Sequence, residues 1–212
     1  MKRHKRIMLL FTVLATLWGC TPSFVYLSDP IVYVKKDIPQ QETLPNIAVL
    51  PFECPSYYPE IGMYTAKLFF QRLHEKKEFE SVSFLQVSDW HEKGMSWHGK
   101  TALAVELGRE LNIDYILFGS IDQYLTGYIT SNKITVTARL IEVATEETLY
   151  FATEYGSGKP GKTFLALDIK AGEPTPSASS VLYAVVDRIM KDCFKNSGHF
   201  KFLSKITSSF HN

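Results

Sequence analysis

From Asn46 onward the apolar residues fall into two alternating rhythms, one of period two and one of period three to four. NIAVLPF (46–52) is a short apolar run stopped by a proline, and it reads as a buried strand. PEIGMYTAKLFFQRLHEKK (59–77) places Ile61, Ala66, Leu68, Phe69 and Leu73 on one helical face. FESVSFLQV (79–87) alternates β-branched and aromatic residues as a second strand. KTALAVELGRELN (100–112) sets Leu103, Leu107 and Leu111 one turn apart as a second helix. DYILFGSIDQYL (114–125), KITVTARLIEVA (133–144) and TLYFATEYG (148–156) are three more strands, separated by short polar turns of hairpin type. SSVLYAVVDRIMKDCF (179–194) carries Leu182, Val185, Val186, Ile189, Met190 and Cys193 on one stripe and ends near Gly198. The expected order is βαβαβββα: an α/β domain with a mixed β-sheet of about five strands and about three helices.

The start of the chain follows neither rhythm. MKRHKR holds four Lys or Arg and no acid, IMLLFTVLATLW is an apolar run of twelve residues, and Gly19-Cys20 follows. A run this short is an export signal rather than a spanning helix, which needs about 20 apolar residues. LWGC resembles the bacterial lipobox, in which a small residue precedes a cysteine that is lipidated and becomes the mature N-terminus. Trp18 is bulkier than is usual there. That resemblance implies lipidation of Cys20, and Thr21 in place of Asp implies the outer membrane, facing the periplasm. Residues 21–45 are interrupted by Pro22, Pro30, Pro39 and Pro45, and read as an extended tether with one edge strand in FVYL or IVYV. The tether would hold the domain tens of Å from the bilayer, at about 3.3 Å per residue. The expected division is a signal peptide over 1–19, the lipidated Cys and tether over 20–45, the α/β domain over 46–198 and a tail over 199–212.

Charge narrows the partners. Without residues 1–19 the chain has 19 Lys plus Arg against 22 Asp plus Glu, a net charge of −3. Nucleic-acid binding ordinarily leaves a basic excess, so no nucleic-acid partner is expected.

Three catalytic or nucleotide patterns weaken when placed on the predicted elements. GSGKPGKT matches G-x-x-x-x-G-K-[ST] through Gly156, Gly161, Lys162 and Thr163. A P-loop, however, follows a parallel strand and opens a helix whose N-terminus holds phosphate. Here the preceding strand is antiparallel in type, FLALDIKAGEPTPSASS shows no helical stripe after it, and the periplasm maintains no nucleotide pool. A loop of turn-forming composition is the expectation, with no cofactor and no nucleotide. His91-Glu92 begins H-E-x-x-H, but Met95 stands where the second imidazole belongs. GMSWH misses G-x-S-x-G because His98 replaces the last glycine. No metal site and no catalytic residue are expected. Trp90, His91, Trp97 and His98 crowd into one loop and form a candidate partner contact, the alternatives being aromatic caps on their own core, which is the commoner role, and a weak metal site. Cys54 and Cys193 remain for a disulfide in an oxidising compartment; the alternative is two separate thiols, with Cys193 a core residue.

IAVLPF (47–52), LGRELNIDYILFGSI (107–121) and ITVTARLIEVATEETLY (134–150) together resemble a group of bacterial envelope lipoproteins. In that group the domain is like the curli-secretion channel protein CsgG, the N-terminal domain of TolB and the lipoprotein activators of penicillin-binding proteins. These stretches are packing patterns of strands and a helix. The resemblance implies a mixed α/β sandwich used for recognition and assembly. Relatives commonly have Thr-Gly in the turn where this chain has ATEET (144–148). The function expected is a non-enzymatic outer-membrane lipoprotein whose periplasmic domain binds another envelope protein in assembly, secretion or wall synthesis, with oligomerisation left open. The alternative is an oligomeric secretion-channel subunit like CsgG, which requires barrel hairpins beyond the strands used in the domain sheet. An enzyme of unknown type stands third.

Overall fold

The computed structural model describes residues 20–21, 23–38, 43–76, 78–85, 101–127, 131–159, 162–163 and 175–195. Their elements run β1 (Cys20–Thr21), β2 (Phe24–Leu27), β3 (Ile31–Lys35), β4 (Asn46–Val49), α1 (Glu60–Lys76), β5 (Ser81–Phe84), α2 (Thr101–Glu110), β6 (Tyr115–Leu125), β7 (Lys133–Glu142), β8 (Thr148–Lys159), β9 (Lys162–Thr163) and α3 (Ala178–Cys193). From β4 to α3, leaving aside the two-residue β9, this is the expected α/β order.

Seven strands make one mixed sheet, ordered β2-β8-β7-β6-β4-β5 with β3 also on β8. β4 runs parallel to both β5 and β6, while β6, β7 and β8 form an antiparallel meander. The chain leaves β4 toward β5 on one side through α1. It then returns across β4 to β6 on the other side through α2. Right-handed crossovers made in opposite directions place their helices on opposite faces. The core accordingly has two parts. On one face α1 and α3 cover Ile47, Val49, Tyr115, Leu117, Ile134, Val136, Ala138, Leu140, Tyr150 and Ala152. On the other, α2 covers Ala48, Leu50, Ile116, Phe118, Ile141 and Val143.

The helices owe their faces and ends to local chemistry. α1 buries Ala66, Leu68, Phe69 and Leu73 as expected, with Ile61 half-buried, and Phe69 stacks on Phe52 at 4.9 Å. Ser177 caps α3 by accepting from the Ser180 N–H at 3.1 Å, and every residue of the expected stripe is buried. In α2 the stripe was expected to include Leu111, which is instead 47% exposed. The helix stops one residue earlier: Asn112 takes φ 52°, the Ile113 N–H reaches back to the Gly108 carbonyl at 2.8 Å, and that of Asn112 to Arg109 at 3.3 Å. This reciprocal pair is a Schellman termination, and it turns Leu111 outward while burying Ile113.

The N-terminal segment departs most from expectation. β2 and β3 both join the domain sheet, antiparallel to β8, with Phe24 opposite Lys159 and Ile31 opposite Thr153. Val25, Leu27 and Ile38 pack against the core. β1 pairs with β9, Cys20 opposite Thr163. Residues 20–38 are therefore built largely into the fold rather than strung out as a tether. As edge strands β2 and β3 are short, Pro30 lies between them, Lys35 ends β3 and Lys36 follows it, features that discourage further strand addition.

Candidate functional site

The first half of the nucleotide-like motif is absorbed into the seven-stranded sheet, the last two residues pair with β1 in a separate two-stranded sheet, and Pro160 and Gly161 lie outside the described residues. Gly156–Lys159 belong to β8, with Gly156 opposite Ile134 on one side and Leu27 on the other, and Lys162–Thr163 form β9. The glycines have a packing role. A Cβ on Gly156 would lie 2.6 Å from Val185 Cγ2 and 2.9 Å from Val181 Cγ1, so glycine lets α3 lie close on β8. A Cβ on Gly158 would meet the Pro176 carbonyl at 3.1 Å. The described residues of the loop expected at 156–163 are thus strand.

The cysteines are separate free thiols. Cys54 Sγ is 3.3 Å from the Pro59 carbonyl, which accepts from it, whereas Cys193 is buried in the α3 core. Burial pushes the Cys193 thiol well above its ordinary range, the neighbouring Asp192 adding to the shift. Of the two readings of this pair, the unbridged one describes the structure. Trp90, His91, Trp97 and His98 lie outside the described residues. Among the described residues no group of three or more His, Cys, Asp or Glu is placed to hold a metal ion.

Two features were not anticipated. The first is an acidic cluster beneath α3. Glu154, fully buried, shares its face of β8 with Tyr150 and Ala152, and neither of its carboxylate oxygens has a hydrogen-bond partner. Burial raises its pKa to about 7; Arg188 opposes the shift, while Asp192 and Asp29 add to it. Tyr150 is buried too, and its hydroxyl sits beside the Asp192 carboxylate without the geometry of a full hydrogen bond. Burial, first, and then Cys193 and Asp192 push this phenol far above its usual range. Asp192 Oδ1 receives Lys35 Nζ at 2.5 Å, tying β3 to the end of α3.

The second feature is a strip of the sheet face beyond the N-terminus of α2. Asp122 accepts from the hydroxyls of Ser120 and Thr137, and Thr137 meets Thr153 Oγ1 at 2.8 Å. Beside this ladder the Arg139 guanidinium lies 4.4 Å from the Phe151 ring and donates to Thr101 Oγ1 at 2.8 Å. Tyr33 packs on the same Phe151 ring at 4.7 Å. The strip thus offers aligned hydroxyls, one carboxylate and a stacked guanidinium on a rigid sheet. That chemistry suits polar recognition, with side chains already oriented by one another.

No protein-family model matches the chain, and no curated protein matches it in sequence. Solved structures with a similar shape include the PelC dodecamer from Paraburkholderia phytofirmans, with 16% identity, 81% of this chain and 96% of that one covered, and a TM-score of 0.46. Lipoprotein GNA1162 from Neisseria meningitidis is similar at 14% identity over 69% of this chain and 99% of its own, TM-score 0.39. The LpoB C-terminal domain from Escherichia coli is similar at 12% identity over 55% and 86%, TM-score 0.35. Identities and TM-scores this low speak to neither activity nor partner.

Proposed function

We propose that the chain is a non-enzymatic lipoprotein of the bacterial outer membrane, held on the periplasmic face by lipid on Cys20. Its α/β domain docks onto another envelope protein and assists assembly, secretion or cell-wall synthesis. The observation that carries the reading is the basic and apolar leader MKRHKRIMLLFTVLATLW followed directly by Gly19-Cys20. The docking part is supported by the strip built from Asp122, Thr137, Thr153 and Arg139. Arginine and aromatic residues held in place are the groups that anchor protein interfaces.

The test has two arms. Labelled fatty acid should enter the wild type and not Cys20→Ser, and the variant should leave the membrane fraction or keep its leader. Crosslinking in cells should capture one partner reproducibly, and Arg139→Ala, with unchanged melting, should lose most of that capture. A purified domain that turns over a substrate at enzyme-like rates would overturn the non-enzymatic reading. Wild type without incorporated label would overturn the anchor.

A further inference from the structure

The segment that follows Cys20 exposes more large apolar side chains than a solvated edge needs. Phe24 and Tyr26 on β2 are 50% and 45% exposed, and Ile31 and Tyr33 on β3 are 59% and 57% exposed. Their pairing puts them on one side of the sheet. Val25 and Leu27 turn to the core opposite Gly158 and Gly156, so Phe24 and Tyr26 share the other side with Lys159 and Ser157. Ile31 stands opposite Thr153, and Tyr33 packs on Phe151, which together continue the same side of β8. Lys159 Nζ lies 4.5 Å from the Tyr26 ring centre and 5.8 Å from that of Phe24. Rings with a cation among them are the composition of side chains that rest at a membrane–water boundary. There the ring body enters the acyl region while hydroxyl and ammonium groups stay with the phosphates.

Position decides between a bilayer and a protein as the occupant. Only Thr21, Pro22 and Ser23 separate Cys20 from Phe24. Even fully extended, four residues span at most about 14 Å, about half the thickness of the hydrocarbon core. Acyl chains on Cys20 therefore bring the bilayer surface to within reach of this patch. α2 lies on the same nominal face of the sheet but over β6 and β7, two to three strand steps from β2 and β3. A twist of about 20–25° per step turns the patch roughly 40–75° away from the strands beneath α2, so the two face different directions.

We propose that the side of β2 and β3 carrying Phe24, Tyr26, Ile31 and Tyr33, with Lys159, seats the domain directly on a phospholipid surface beside the lipidated Cys20. The proposal rests on the anchor assigned above. Lys159 supplies the contact to lipid phosphate and the rings supply the apolar contact, so the domain lies against the membrane in a fixed orientation.

The test uses the full-length protein, purified from membranes and reconstituted into vesicles of phosphatidylethanolamine and phosphatidylglycerol carrying a shallow brominated acyl quencher. Trp90→Phe and Trp97→Phe remove the tryptophans that follow Cys20. Single reporters are then placed as Tyr26→Trp, Tyr33→Trp and, on α1, Tyr64→Trp, a site 44% exposed in the same way. Reporters at 26 and 33 are expected to shift to the blue and to be quenched several-fold more than the one at 64. Equal quenching at all three positions overturns the seat. So does a blue shift at 26 that is already present without vesicles and disappears when a multimer is dissociated, which would assign the patch to a second copy of the chain. Mass spectrometry of the same preparation reads the acyl group on Cys20 separately. If that group is missing, the anchor falls, while the quenching comparison still decides whether this side meets lipid.

Discussion

Replacing Glu154 by Gln tests the buried acid directly. The wild-type carboxyl has a folded pKa of about 7, above the value of 4.5 it has when exposed. Between those values the folded state holds a proton that the unfolded state releases. Stability is therefore fully present below about pH 4.5, declines as pH rises toward 7, and is flat above it. Each pKa unit corresponds to about 1.4 kcal/mol, so a shift of this size removes about 3 kcal/mol by pH 8, of which about 2–3 kcal/mol goes between pH 5 and pH 8. That is a large share of a net stability of about 5–15 kcal/mol. Arg188 and Asp192 from α3 and Asp29 from the β2–β3 turn face the group, and Arg188 moderates the loss. Glutamine keeps the shape and the neutral form at every pH. Urea unfolding of both proteins at pH 5, 6, 7 and 8 should show the variant gaining on wild type by about 2–3 kcal/mol across the range, with the two close together at pH 5. If the difference between the two proteins is constant with pH, Glu154 does not titrate in this window and the sealed carboxylate is misplaced.

Val186→Asp would bury an unpaired charge in the α3 core, where the residue is 1% exposed, and should cost several kcal/mol. Asp187→Ala on the same helix loses only partly exposed pairs with Arg72 and Lys191 and should cost less than about 1 kcal/mol; comparable thermal melts would remove α3 from the core. Gly156→Ala drives a methyl into Val185 and should destabilise by about 1–3 kcal/mol, with no nucleotide-dependent stabilisation of the wild type in calorimetry. Glu146 sits at φ 59°, a left-handed conformation that glycine adopts without strain. Glu146→Gly gives up only its exposed pair with Arg109, so it should leave stability unchanged or raise it by up to about 1 kcal/mol; a loss beyond about 1 kcal/mol in chemical denaturation would contradict this.

The elements from β4 to α3 were legible because each carries a sustained period that its burial then obeys, as in α3, where all six stripe positions are buried. Leu111 was misassigned because periodicity alone cannot see a terminator. The signal was Asn112, a residue that accepts the left-handed conformation, with apolar Ile113 after it. β2 and β3 were hidden by four prolines and by partners distant in sequence, although FVYL alternates exposed and half-buried along its length. Only one of the two had been expected to be a strand, at an edge. Glu154 was readable in hindsight from parity: in TLYFATEYG it falls in phase with Ala152 and Gly156, on the core side. What parity could not supply is its environment, since Arg188, Asp192 and Asp29 come from elements far away in the chain. The polar strip was equally invisible, because Asp122, Thr137 and Thr153 meet only through strand register.

The pairing of β2 and β3 with β8 joins positions 115–135 residues apart. Such long-range contacts carry a high loop-closure cost and form slowly. Were the chain exported N-terminus first, as the proposed function requires, those two strands would emerge long before their partner and would have to wait for it. Until β8 arrives, residues 20–45 are a loose leash, able to reach about 80 Å when fully drawn out. Docking of β2 and β3 then reels that leash in; with the anchor proposed at Cys20, it would draw the body of the protein to its point of attachment, so that completion of the fold and arrival at the membrane would be a single event.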